Sequence, residues 1–262
     1  MNIYCCQLDI AWEDKAANYR KVERLLADAK PSRGSLVLLP EMFATGFSMN
    51  VAGIAEDAAE GPTVRFLSQR AAALGVYLVG GFAAPDGGDG KGRNVLAVFG
   101  PDGNRVADYT KIHPFSIGEE DRHYAGGERV CTFDWAGATV SPFICYDLRF
   151  PEIFRLGAHK GAEVIVVIAN WPQPRIEHWV TLLRARAIEN QAYVAGVNRC
   201  GVDPKLVYPG RSIIVDPHGA ILAEAGKEEG VISTAIDLPA LREYRQRFLM
   251  LRDMRPKFLG PS

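Results

Sequence analysis

The run Val164-Ile-Val-Val-Ile168 is apolar at five consecutive positions. A strand with that pattern has no side for water, so both faces must be covered, as in the centre of a sandwich. Apolar, β-rich runs recur at 36–39, 76–82, 95–99, 140–145, 193–197, 213–215 and 231–236. Helical patterns lie between them. Residues 18–29 set Val22, Leu25, Leu26 and Ala29 on one stripe, and Pro62 opens and Gly75 closes a second segment. Pro151 starts a third helix, and a fourth is expected over about 177–191. Two segments look alike: Asn94-Val-Leu-Ala-Val-Phe-Gly-Pro-Asp-Gly and Ser212-Ile-Ile-Val-Asp-Pro-His-Gly each read as strand, turn, strand. Their Pro-x-Gly turns imply local antiparallel hairpins. Hairpins within an alternating β and α order make the sheets mixed, and two stacked sheets with helices around them fit that order.

The 262 residues are 48% hydrophobic and 23% charged, enough to bury a core without disulfides or metals. A single domain over 1–262 is expected, since the Gly-rich stretch after Pro85 is too short to be more than a loop. A formal charge of −1 offers no footprint for nucleic acid and no basic face for a membrane. No apolar segment approaches the ~18 residues of a membrane span, and the N-terminus lacks the basic-then-apolar pattern of a signal peptide. Five cysteines without regular spacing make no disulfide framework, so a reducing cytoplasm is the expected compartment. Neither a metal nor another cofactor is called for. Cys5-Cys6 is not a zinc spacing, and His113, His123, His159, His178 and His218 form no recognisable ligand set.

Three segments place a reactive side chain where a β-like run meets a turn. In Leu36-Val-Leu-Leu-Pro-Glu-Met-Phe, Glu41 follows a buried strand, where desolvation is expected to raise its pKa towards a useful range. In Tyr109-Thr-Lys-Ile-His-Pro-Phe, Lys111 follows a hairpin strand. In Val140-Ser-Pro-Phe-Ile-Cys-Tyr-Asp-Leu-Arg-Phe-Pro, Cys145 stands between strand and helix, where backbone N–H groups can receive an oxyanion. Taken singly, each has an ordinary reading: a small buried thiol, a solvated edge carboxylate and a solvated ammonium. Periodicity alone does not show that the three converge.

Together, and in this order, Leu39-Pro-Glu-Met-Phe, Tyr109-Thr-Lys-Ile-His and Ile144-Cys-Tyr-Asp-Leu-Arg-Phe-Pro-Glu152 resemble the three signature blocks of the nitrilase superfamily of carbon–nitrogen hydrolases. The resemblance extends through Ala169-Asn-Trp-Pro172, Arg186-Ala-Ile-Glu-Asn-Gln-Ala-Tyr193 and Gly210-Arg-Ser-Ile-Ile-Val-Asp-Pro217. Thr45-Gly-Phe-Ser-Met49 and Asn170-Trp171-Pro172 look closest to the omega-amidases. The resemblance implies a four-layer αββα sandwich of two mixed sheets and a homodimer or larger homo-oligomer. The tail of about 240–262 would pack at a subunit interface. It further implies a Glu41–Lys111–Cys145 triad and an assisting glutamate at Glu120, with Glu119 adjacent. Phe43, Phe115 and Trp171 would be pocket walls, and Arg149 the carboxylate binder. Pro114 departs from the leucine that many relatives carry after the histidine of the lysine block.

On this reading Cys145 attacks as a thiolate favoured by Lys111, and Lys111 with the Tyr146 backbone N–H holds the oxyanion. Glu41 carries the protons of a thioester mechanism, and His113 is structural. The partner is then a small amide, a short omega-amide of a dicarboxylic acid such as 2-oxoglutaramate, 2-oxosuccinamate or succinamate. Two alternatives stand beside it. One is a hydrolase of neutral amides, nitriles or N-carbamoyl compounds. The other is a catalytically silent binding or assembly module on the same fold.

Overall fold

The computed structural model describes residues 1–85 and 87–258. Two mixed sheets stack face to face. In the first, the strands run Gly230–Ala235, Asn2–Gln7, Leu36–Leu38, Tyr77–Ala84, Gly92–Phe99 and Arg105–Thr110, with the short Tyr124–Ala125 beside Gly92–Phe99. In the second they run Ile221–Glu224, Ile213–Val215, Tyr193–Asn198, Val164–Ala169, Ala138–Ile144 and Phe133–Trp135. Each sheet has a parallel trio followed by an antiparallel hairpin: Asn2–Gln7, Leu36–Leu38 and Tyr77–Ala84 in one, Ala138–Ile144, Val164–Ala169 and Tyr193–Asn198 in the other. The two look-alike segments supply those hairpins in equivalent places, turning at Gly103 (φ 80°) and Gly219 (φ 85°).

Side-chain alternation makes the layers. Cys5, Leu36, Leu38, Val79, Leu96 and Val98 point into the core between the sheets, with Val140, Val166 and Ile168 of the second sheet. Their neighbours Cys6, Val37, Leu39, Leu78 and Ala97 face outward, under Val22, Leu25 and Leu26 of helix Lys15–Ala29 and Leu67 and Ala71 of helix Pro62–Leu74. Helices Pro151–His159 and Ile176–Asn190 cover the second sheet with Ile153, Phe154, Trp179 and Leu183. The result is the helix–sheet–sheet–helix order expected.

The strand Asn2–Gln7, which no apolar run announces, lies inside the first sheet. Its polar end is satisfied tertiarily: Gln7 Oε1 accepts from the Ser212 N–H at 3.0 Å, and Gln7 Nε2 donates to Gly226 O at 2.8 Å. The C-terminal helix Leu238–Arg247 docks on its own chain through Arg242 to Glu163 (2.6 Å) and Arg245 to Ala162 O (2.6 Å). It contains the start of the tail assigned to a subunit contact; residues 259–262 of that tail lie outside the described residues. Among the described residues no helix is long and apolar enough to cross a membrane.

Candidate active site

The expected reactive residues follow strands that end on the same side of the sandwich. After Leu36–Leu38 the chain turns through Pro40, and Met42 adopts a left-handed φ of 44°. This turn presses against the next strand. A Cβ on Gly81 would lie 2.8 Å from the Met42 nitrogen and 2.9 Å from Glu41 Cα, so that approach requires glycine. Glu41 is thereby fully buried.

Lys111, just beyond Arg105–Thr110, places its ammonium between two carboxylates, 3.0 Å from Glu41 Oε1 and 2.7 Å from Glu120 Oε2. Asn94 on Gly92–Phe99 doubles that bridge, its Nδ2 donating to Glu41 Oε1 at 2.7 Å and to Glu120 Oε1 at 2.9 Å. Phe115 N–H holds Glu120 Oε2 at 2.6 Å. Asn170, beyond Val164–Ala169, clamps Glu41 from the second sheet: its N–H donates to Oε2 at 2.9 Å and its side chain to the Glu41 carbonyl at 2.7 Å. Lys111, Glu41 and Glu120 are each at most 1% exposed, so these bonds replace water for all three charges.

Cys145 ends Ala138–Ile144 with a φ of 49° and opens the 3₁₀ turn Cys145–Arg149. A non-glycine residue in that conformation costs about 1–3 kcal/mol and persists only where its surroundings enforce it. Here Asp147 does so. Its Oδ2 accepts from the Ile144 N–H (3.2 Å) and the Tyr109 hydroxyl (2.7 Å), and its Oδ1 from the His113 N–H (2.9 Å). The His113 ring stacks on Phe150 at 3.7 Å, consistent with the structural role read for it. Cys145 Sγ lies 3.9 Å from the carbonyl oxygen of Asn170. At the start of such a turn the N–H of Tyr146 has no partner within the helix.

Lys111, Cys145 and Asn170 open into a pocket of about 400 Å³, mouth included, walled by Phe47, Phe115, Tyr146 and Trp171. Arg149 belongs to the same wall, its guanidinium 4.9 Å over the Trp171 ring. It forms no ion pair among the described residues. Asp147, the nearest acid in sequence, is taken by Tyr109 and His113, while Arg149 donates towards His178 Nδ1 at 3.2 Å.

A family model described as carbon-nitrogen hydrolase matches residues 3–246. The chain belongs to the carbon–nitrogen hydrolase family. It is 34% identical to the 2-oxoglutaramate amidase of Bacillus subtilis, with 97% of each chain covered. To an omega-amidase of Yersinia enterocolitica it is 39% identical, over 97% of this chain and 96% of that one. A solved CN-hydrolase superfamily protein of Xanthomonas campestris, with an arsenic adduct in its active site, matches with a TM-score of 0.90 at 36% identity over 97% of each chain. The protein is therefore an enzyme acting on amides.

Within this carbon–nitrogen hydrolase, several expectations about the site need correction. Phe43 is not a pocket wall: it packs in the outer layer against Tyr19 and Phe66, 6.2 and 6.1 Å between ring centroids. Phe47, four residues on in the Thr45–Met49 segment, takes the wall, with Lys111 Nζ 5.1 Å from its ring centroid. Of the two adjacent acids, Glu120 enters the cluster and Glu119 stays at the surface with Arg122. Burial pushes the Glu41 carboxyl up, as expected, but Lys111, Asn94 and Asn170 more than offset it, and the net direction is down. Burial and the Glu41 charge hold Glu120 above its ordinary value despite Lys111. Burial and then Glu41 also push the Cys145 thiol well up, against the pull of Lys111. Both directions favour a Cys145 thiol beside an ionised Glu41.

Asn94 and Asn170 join the site although neither is among the residues the sequence motifs assign to it. Asn170 stood in a motif with no role given; the signal for Asn94 was an amide at the head of an otherwise apolar strand, where asparagine is disfavoured. Asn94→Leu removes one donor from each carboxylate. Turnover at neutral pH is expected to fall about 10- to 100-fold, the worth of a hydrogen bond to a charged group. Because Asn94 lowers the Glu41 pKa, the acidic limb of kcat/KM should move to higher pH. A variant with an unmoved limb would leave Asn94 a packing residue only.

Proposed function

We propose that this enzyme hydrolyses a short omega-amide of a dicarboxylic acid to the acid and ammonia through a thioester on Cys145. The observation that carries the substrate class is Arg149: a guanidinium without an ion-pair partner among the described residues, in the pocket that Cys145 and Lys111 also line. A guanidinium in such a setting suits a substrate carboxylate, which it can hold bidentately. The 2-oxoglutaramate amidase and omega-amidase names of its relatives agree with that class.

In the proposed mechanism Glu41 takes the Cys145 proton as sulfur bonds to the amide carbon. The carbonyl electron pair moves to oxygen, where Lys111 Nζ and the Tyr146 N–H stabilise it. The tetrahedral species collapses, the C–N bond breaks, and Glu41 passes its proton to the nitrogen, which leaves as ammonia. Glu41 next takes a proton from water, whose oxygen attacks the thioester. Expulsion of sulfur, reprotonated by Glu41, releases the acid. Glu120 stays beside Lys111 and holds its ammonium in place.

Ammonia release from 2-oxoglutaramate, succinamate and butanamide tests this reading, with Cys145→Ala as the control. The expected result is rapid release from the two acids, lost in the control. Arg149→Ala is expected to cost the acids about 10- to 100-fold in kcat/KM, and butanamide far less. Turnover of butanamide alone would discard the carboxylate pocket and favour the neutral-amide alternative. Silence on all three would discard the short omega-amide class and call for a wider panel of amides and nitriles.

A further inference from the structure

Arg175 lies in the same pocket as Cys145 and Arg149. It closes the short turn Gln173–Arg175, and its guanidinium carbon stands 5.3 Å from the ring centroid of Phe115. Two bonds fix that turn: the Arg175 N–H donates to Pro172 O at 3.2 Å, and the Trp171 indole donates to Arg175 O at 2.7 Å. Trp171 is also the ring beneath Arg149. One aromatic frame therefore carries both guanidiniums, Arg149 over Trp171 and Arg175 over Phe115. Ordering them does not wait for the substrate, which lowers the entropy lost on binding.

Other buried or partly buried arginines are occupied. Arg211 pairs with Glu177 and Glu224, Arg186 pairs with Glu189, and Arg245 donates to the carbonyls of Ala162 and Gln191. Among the described residues the Arg175 guanidinium makes no ion pair or hydrogen bond; its contact is the Phe115 ring. Lys111 brings no spare charge to the pocket, since Glu41 and Glu120 flank it. Two planar cations with open N–H groups thus face one small, mostly aromatic space.

A single fork is matched by a single carboxylate, which offers two oxygens. Two forks call for a ligand end with more acceptors. A 2-oxo acid has them: its carboxylate and the neighbouring ketone present three oxygens close to one plane. Resting on the omega-amide reading above, we propose that Arg175 is a specificity-determining residue for 2-oxo acids. Arg149 takes the carboxylate, and Arg175 takes the edge formed by the 2-oxo oxygen and the nearer carboxylate oxygen. A plain dicarboxylic monoamide leaves that second fork with only a shared carboxylate oxygen.

Steady-state kinetics of the full chain and of Arg175→Gln on 2-oxoglutaramate, succinamate and butanamide decide the matter. KM for 2-oxoglutaramate is expected to rise about 10- to 100-fold in the variant, with kcat held within about threefold. The rise for succinamate should be smaller, and that for butanamide smallest. Arg175→Lys, which keeps the charge but not the fork, should recover only part of the loss. Equal losses on all three substrates, or no loss on 2-oxoglutaramate, would overturn the assignment. Equal losses confined to the two acids would overturn the reading of the 2-oxo group. A wild-type enzyme active on butanamide alone fails the omega-amide reading, and this proposal with it. A wild type that turns over both acids beside an indifferent variant removes Arg175 alone.

Discussion

Replacing Lys111 by methionine is expected to lower amide turnover by about 10²–10³-fold and stability by about 3–5 kcal/mol. The first loss is that of an oxyanion donor whose ammonium is almost fully buried. The second arises because Glu41 and Glu120 remain buried after their shared counter-charge has gone. The two losses can be separated. In the Lys111→Met/Glu120→Gln double variant one buried carboxylate is removed, so much of the stability should return while turnover stays low. The pH dependence has a definite sign. Lys111 now opposes the burial that drives both carboxyls upward. Without it the Glu41 value rises above the unfolded value of about 4.3, and that of Glu120, already above it, rises further. A carboxyl raised in the folded state contributes its stability below that unfolded value, and the contribution is lost as pH rises through the folded value. Thermal unfolding of Lys111→Met should therefore show a Tm that falls from weakly acid to neutral pH more steeply than the wild type's. Turnover within tenfold of wild type would remove Lys111 from the oxyanion site, and a wild-type-like pH slope would mean that the three charges are not coupled.

Glu41→Gln carries the other large effect, a loss of about 10²–10⁴-fold, the usual worth of a positioned proton carrier. Electrostatics alone would point the opposite way. The Glu41 charge pushes the Cys145 thiol up, so glutamine should ease thiolate formation. A faster enzyme, or one merely shifted in pH optimum, would support thiolate attack without a base. The mechanism proposed here predicts a slow enzyme at every pH, because ammonia cannot leave unprotonated and water is not activated. Mass spectrometry of the quenched reaction adds a second readout. An acyl adduct on Cys145 that forms as fast as in the wild type but is hydrolysed slowly would confine Glu41 to the second half-reaction. Slow formation of the adduct as well is what service in both halves requires.

The contrast between Phe43 and Phe47 illustrates how far linear sequence reaches. Both aromatics lie close behind Glu41, and nothing in spacing tells which one turns outward; the backbone after the left-handed Met42 decides it. Glu119 and Glu120 pose the same problem at one residue's distance, settled by the turn that sends one to Arg122 and the other to Lys111. Asn94 and Arg175 were harder still, since a buried amide and a half-exposed guanidinium gain meaning only from what surrounds them.

By itself the sequence determined the helical stripes, the hairpins and the order of the reactive segments, because strand alternation, helical spacing and Pro-x-Gly turns act over a few neighbouring residues; the four layers came by resemblance. It also placed Glu41, Lys111 and Cys145 at strand ends and, by resemblance, predicted their meeting. Tertiary structure alone decided the direction of each pKa shift within the cluster. Whether burial or Lys111 wins at Glu41, and whether Lys111 or the carboxylates win at Cys145, is a sum of desolvation and charge over side chains 25 to 129 positions apart in the chain. Such sums depend on distances through space, which no local pattern records.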